Sequence, residues 1–265
     1  PVVHVAEAVK PVESSGPIRS GAPSRVRSRV TSTNDEVHSM SQVQADVASA
    51  RFTPSETVLL HGDRFAKEAG MLRGKTELLA AADRKVSTDE LAEAALLATV
   101  LGSEEAGAIR LEARTKKVLF GLMSRKTLYA QSAGGAPAPE GTVEAQFRAA
   151  LGSGEKEVSD VLYQMLERDT FYPAEDVLDR VRAGLFGRGL LERDEVKKLK
   201  FFTSYRYRLA GGVADLLREQ PADPVRRLLD ECERSRPEVW QLLRKHISHA
   251  LVMRKEQSDT GGSSD

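Results

Sequence analysis

Residues 157–209 read EVSDVLYQMLERDTFYPAEDVLDRVRAGLFGRGLLERDEVKKLKFFTSYRYRL. Val158, Val161, Leu162, Met165 and Leu166 repeat with the 3.6-residue period of one apolar helix face. Tyr172-Pro173 interrupts that period. Pro173 then opens a second helix, where its missing N–H goes unneeded, and Glu175 and Asp176 set negative charge against the positive helix end. The second apolar face is Ala174, Val177, Leu178, Val181, Leu185 and Phe186, and Gly189 suits a left-handed cap. Beyond Leu190-Leu191 we expect a charged reversal at Arg193-Asp194-Glu195 and a strand from Lys200 to Leu209. There Phe201, Thr203, Tyr205, Tyr207 and Leu209 alternate with Phe202, Ser204, Arg206 and Arg208. Helix, turn, helix, glycine and hairpin make a winged-helix-like order.

The rest of the chain extends this fold class. Apolar residues are 40% of the 265, enough for a core. Lysine and arginine number 39 against 39 aspartate and glutamate, so no whole-chain charge argues for nucleic acid or an anionic membrane. Cys232 is the single cysteine, which precludes an intrachain disulfide and points to a reducing compartment. No apolar run reaches the length of a membrane span.

Three regions are expected: a disordered segment over residues 1–52, one helical domain over 53–254, and a disordered tail over 255–265. The first is rich in Ser, Pro, Val and Gly without periodicity. Its Arg19, Arg25, Arg27 and Arg29 could form an electrostatic tether. With Lys10 they are matched by Glu7, Glu13, Asp35, Glu36 and Asp46, which favours a solvated tail. Thr53-Pro54 starts the order as N-cap and first helical residue, and Val58 to Leu72 can make one broad helical face, or two helices given Gly70 and Gly74. A helix is expected over Lys75 to Ala82. Ser87 and Glu90 make a capping box for an apolar, buried helix ending at Gly102. Strands follow at Ile109 to Glu112 and Thr127 to Gln131, with Lys116 to Phe120 readable either way. A flexible loop leads to Thr142, which caps a further helix. Past Leu209, helices are expected over Val213 to Glu219, Val225 to Glu233 and Pro237 to Val252. The fold class is thus mostly α-helical with short β-hairpins, with winged-helix-like units in one domain.

The chain carries no catalytic motif: no nucleophile elbow, no phosphate loop, and a Gly187-x-Gly189 pair that follows a helix rather than a strand. His246 and His249 are three apart on a helix but have no cysteine or carboxylate companion, so core or surface histidines are the expectation. Cys232 reads as an inert thiol and Trp240 as core. No cofactor or metal is expected. The informative feature is charge: Arg180, Arg182, Arg188, Arg193, Lys197, Lys198, Lys200, Arg206 and Arg208 outnumber Glu192, Asp194 and Glu195 within one folded unit. Such a concentration can hold phosphate, with arginine as bidentate donor. The phosphate could belong to a lipid headgroup or a nucleic-acid backbone; a solvated edge is the plain alternative.

Ala108-Ile-Arg-Leu-Glu112, Lys116-Lys117 and Ser124-Arg-Lys-Thr-Leu128 resemble a Golgi phosphoprotein 3-like domain. A leucine-rich helix, the aromatic-Pro break, a Leu-x-x-Val-Arg helix and Arg188-Gly189-Leu190-Leu191 continue the resemblance over residues 87–251. It implies a helical domain that binds phosphatidylinositol 4-phosphate at the cytosolic face of a membrane, the Golgi in a eukaryote, and in Golgi members an adaptor that retains protein cargo. The family's pocket uses arginines on the helix before the Arg-Gly stop and a tryptophan in an early hairpin. Counting back from Gly189, Arg180 falls on one of those arginines, while the other two positions are Glu175 and Leu178. No tryptophan precedes Trp240, and no early hairpin is legible. The resulting expectation is a non-enzymatic, cytoplasmic, peripheral membrane adaptor binding an anionic phospholipid headgroup through Arg180, Arg182, Arg188, Arg206 and Arg208. The alternative is a tandem winged-helix module binding DNA or a protein partner.

Overall fold

Thr53 begins the first helix, α1 (Pro54–Leu60), with a reciprocal capping box. Its hydroxyl accepts from the Glu56 N–H at 3.5 Å, and the Glu56 carboxylate accepts from the Thr53 N–H at 2.8 Å. The computed structural model describes residues 51–70, 74–80, 83–118, 123–166, 170–199 and 202–260. The tether considered at Arg19 to Arg29 lies outside the described residues, as do Lys200 and Phe201, where the last strand was expected to begin.

The helix face expected to run on to Leu72 stops at Leu60. A 3-10 turn over Gly62–Arg64 follows. Gly62 packs so closely that an added Cβ would sit 2.6 Å from the Leu78 Cδ2. The chain bends there to seat a small antiparallel hairpin, β1 (Lys75–Glu77) with β2 (Lys85–Ser87). A helix was expected across β1. The strand wins because Thr76 pairs with Val86, buries its side chain and places its hydroxyl 2.9 Å from that of Thr88, while Lys75 and Glu77 face water.

Helix α2 (Thr88–Glu105) is the buried centre, as its small apolar composition predicts. Leu91, Leu96 and Leu101 are each fully enclosed, a gain of about 1.5–3 kcal/mol apiece. Only half of the Ser87 capping box forms. Ser87 accepts from the Glu90 N–H at 3.4 Å, but the Ser87 N–H goes to the Lys67 carbonyl and the Glu90 carboxylate accepts from the Lys67 N–H. Gly102 does not end the helix. It lies inside it, where the Pro54 ring presses against the backbone and a Cβ would fall 2.5 Å from the ring's Cγ.

The strands beyond α2 are longer than expected. β3 (Ile109–Val118) and β4 (Met123–Ser132) form a ten-residue antiparallel hairpin that settles Lys116-Lys117 as strand, and β5 (Glu155–Glu157) adds to β4. Thr142 caps α3 (Val143–Leu151) as expected. Helices α4 (Val158–Leu166) and α5 (Pro173–Gly187) follow the predicted periodicities, and Gly189 takes φ +71°, a conformation that favours glycine at a helix stop.

The second hairpin is β6 (Leu191–Leu199) with β7 (Phe202–Leu209). Arg193-Asp194-Glu195 is therefore strand rather than reversal: cross-strand pairing of Leu191 with Leu209, Glu192 with Arg208 and Arg193 with Tyr207 carries the strand through the charged residues. The chain closes with α6 (Val213–Glu219), α7 (Asp223–Ser235) and α8 (Pro237–Thr260). Helix α8 extends past Val252, into the region expected to be a disordered tail. The described residues thus hold eight helices with three small antiparallel sheets, a mostly helical fold with short hairpins. Among them no helix is long and apolar enough to cross a membrane.

Candidate functional site

Helix α5 has two sides. One buries Ala174, Val177, Leu178, Val181 and Leu185 against the core. The other, through Glu175, Asp179, Arg182 and Ala183, forms the floor of a cleft of about 1070 Å³. The β1–β2 hairpin contributes Lys75 to Leu79, and the wing formed by β6 and β7 contributes Arg193, Asp194 and Tyr205 to Arg208. Three separate elements therefore meet here, which is why no single run of sequence displays the site.

The five arginines singled out from the sequence do not all reach this cleft. Arg182, Arg206 and Arg208 line it. Arg180 is spent on the fold: it donates to Asp176 at 2.9 Å, Gln146 at 3.1 Å and the Leu166 carbonyl at 2.8 Å, tying α5 to α3 and to the end of α4. Arg188 points the other way, to the buried Glu56 carboxylate and the Arg51 carbonyl.

Within the cleft the cations differ in availability. Arg182 is mostly buried and holds Asp179 at 2.6 Å and Glu175 at 3.5 Å. Arg208 bridges Glu192 at 2.6 Å and Asp194 at 3.3 Å. The hydrogen bond that Arg208 donates to Glu192, helped by the charge of Asp194, raises its pKa above the usual guanidinium range. Among the described residues, Lys75, Arg193 and Arg206 line the cleft without a carboxylate in ion-pair reach. Arg193 instead lies over the rings of Phe186 and Tyr205, at 4.5 and 4.3 Å from their centroids.

Lys75 was hidden in a presumed helix, and Arg193 was read as part of a turn. Aromatic residues at Phe186 and Tyr205, flanking a lone strand arginine, were the available signal for the latter. The cleft carries five cationic side chains (Lys75, Arg182, Arg193, Arg206, Arg208) and four carboxylates (Glu77, Glu175, Asp179, Asp194). The register places Arg193 with Tyr205 and Tyr207 on one face of the wing and Arg206 with Asp194 and Arg208 on the other, so an anion in the cleft meets Arg193 or Arg206 from the wing, not both at once.

The remaining candidates have structural roles. His246 is buried, with Nδ1 facing the Ser159 N–H at 3.1 Å and Nε2 facing the Leu128 N–H at 3.1 Å and the Thr127 hydroxyl at 3.1 Å. Burial pushes its pKa down to about 4, against the pull of Glu157. Cys232 is buried, and burial raises its thiol pKa. Trp240 packs at the core's edge. Among the described residues no group of three or more His, Cys, Asp or Glu side chains is placed to hold a metal. Comparison of the chain with models of known protein families, with curated proteins and with solved structures finds no match.

Proposed function

We propose that the chain is a non-enzymatic peripheral membrane adaptor. It seats an anionic phospholipid headgroup, phosphatidylinositol 4-phosphate by the resemblance, in the cleft between the β1–β2 hairpin, α5 and the wing. One observation carries the reading: in a chain of zero net charge, Lys75 and Arg193 line one cleft with no carboxylate in ion-pair reach among the described residues. A phosphomonoester near −2 charge offers such groups a stronger acceptor than water does. The exposed pairs of Arg208 are screened by water and contribute little, so a phosphate can displace them. Cargo would bind elsewhere on a membrane-held domain.

Duplex DNA fits this surface less well. A duplex presents a row of phosphates that needs several cations spread along it, whereas the cleft sets four carboxylates among its five cations. Vesicle sedimentation tests the proposal. The chain should pellet with phosphatidylcholine vesicles containing phosphatidylinositol 4-phosphate and stay in the supernatant with phosphatidylcholine alone; equal pelleting in both would refute it. A duplex-DNA shift assay in parallel should give no salt-sensitive complex.

A further inference from the structure

Phe186, on the last turn of α5, and Tyr205, on β7, leave 38% and 51% of their surface exposed, yet both contact the Arg193 guanidinium. Ring faces offset the charge of a guanidinium without using up its N–H donors as a carboxylate would. The neighbouring Arg208, by contrast, bonds Glu192 and Asp194. Arg193 is thus an exposed cation at the cleft wall, steadied by two rings, whose donors remain for a ligand.

We infer that Arg193, held by Phe186 and Tyr205, grips the phosphomonoester of the headgroup and sets the preference for it over a phosphodiester; this rests on the lipid-binding reading above. A side chain already steadied loses less freedom on binding, so more of the interaction appears as affinity. The planar fork can bond two oxygens of one phosphate at once. A monoester offers three terminal oxygens and nearly two charges, whereas the diester of unphosphorylated phosphatidylinositol offers two oxygens and one charge.

The test uses the full chain and phosphatidylcholine vesicles containing either phosphatidylinositol 4-phosphate or phosphatidylinositol. Arg193→Met keeps an apolar stem between the wing and α5 while removing the donors. It should keep the wild-type unfolding midpoint and lose about tenfold in affinity for the 4-phosphate vesicles. The preference over phosphatidylinositol should shrink by the same factor. Inorganic phosphate added as competitor should release wild type from the vesicles, as the shared phosphate chemistry requires; release only by the 4-phosphate lipid's soluble headgroup would assign the grip to inositol and overturn the inference. If Arg193→Met fails to fold, Arg193→Lys, which retains charge but not the fork, takes its place and should lose several-fold. Wild-type affinity in the variant would overturn the role of Arg193 and leave the lipid reading standing. No wild-type binding to either vesicle would overturn both.

Discussion

The Arg188 guanidinium bonds the Glu56 carboxylate across 132 positions of chain, joining the stop of α5 to the first turn of α1. The same Glu56 carboxylate oxygen caps Thr53, and Arg188 also donates to the Arg51 carbonyl at 2.7 Å. Glu56 is 1% exposed, so removing its partner strands a buried charge. Arg188→Met should therefore cost about 3–5 kcal/mol, and Arg188→Met with Glu56→Gln should recover a large part of that. Urea midpoints of the single and double variants measure both effects. Phosphoinositide binding by whatever fraction stays folded should be unchanged, because Arg188 lies outside the cleft.

A paired comparison on α5 isolates the meaning of two glycines. A Cβ at Gly184 would fall 2.9 Å from the Gly141 carbonyl oxygen, which is backbone and cannot swing aside, whereas one at Gly187 meets nothing within 4 Å. Gly184→Ala should destabilise by about 1–3 kcal/mol through overpacking. Gly187→Ala should be neutral or stabilise by up to about 1 kcal/mol, since alanine favours helix more than glycine does. Thermal melts that moved in the same direction for both would contradict this.

His246 makes stability depend on pH. Its ring is 2% exposed; Nδ1 accepts from the Ser159 N–H and the neutral ring's one proton belongs on Nε2, beside the Thr127 hydroxyl oxygen, so a second proton, on Nδ1, would oppose donor to donor. Its folded pKa is about 4, against roughly 6.5 in an unfolded chain. Between these values the unfolded chain binds more protons. The contribution is therefore complete above the unfolded value and is lost as pH falls towards the folded one, by about 3 kcal/mol at most. Urea midpoints between pH 4.5 and 7.5 should fall with acidity in the wild type, and more shallowly in His246→Gln.

The sequence disclosed what is local. The apolar rows of α4 and α5, the Thr142 cap and the Gly189 stop are set by neighbours within four residues, and each is found where its pattern pointed, except that Phe186 leaves the α5 row and stands 38% exposed beneath Arg193. The misread elements depend on contacts far along the chain. Lys75–Glu77 is strand because Thr76 pairs with Val86 and meets Thr88, a partnership that no helical period can reveal. Gly102 stays helical because Pro54 packs on it. The basic run between Arg180 and Arg208 was visible as composition, but its division was not. Arg180 was committed by Gln146 and the Leu166 carbonyl, Arg188 by Glu56, and Arg193 was left to two rings on different elements.

The carboxylates beside Arg208 yield a prediction of opposite sign from the usual loss-of-function variant. Arg208 is 62% exposed in its side chain, and Glu192 and Asp194 compete with any incoming phosphate for its donors. Such exposed pairs add little stability, so Glu192→Gln with Asp194→Asn should leave the unfolding midpoint within about 0.5 kcal/mol of wild type. It also adds two units of positive charge to the wing and frees the Arg208 fork. Affinity for vesicles containing phosphatidylinositol 4-phosphate should then rise several-fold, with a steeper fall as salt is added. Adding Arg208→Gln to the double variant should cancel most of the gain, which separates direct contact by Arg208 from a general field effect of the wing. Unchanged or weaker binding in the double variant would remove Arg208 from the seat and confine it to Lys75 and Arg193.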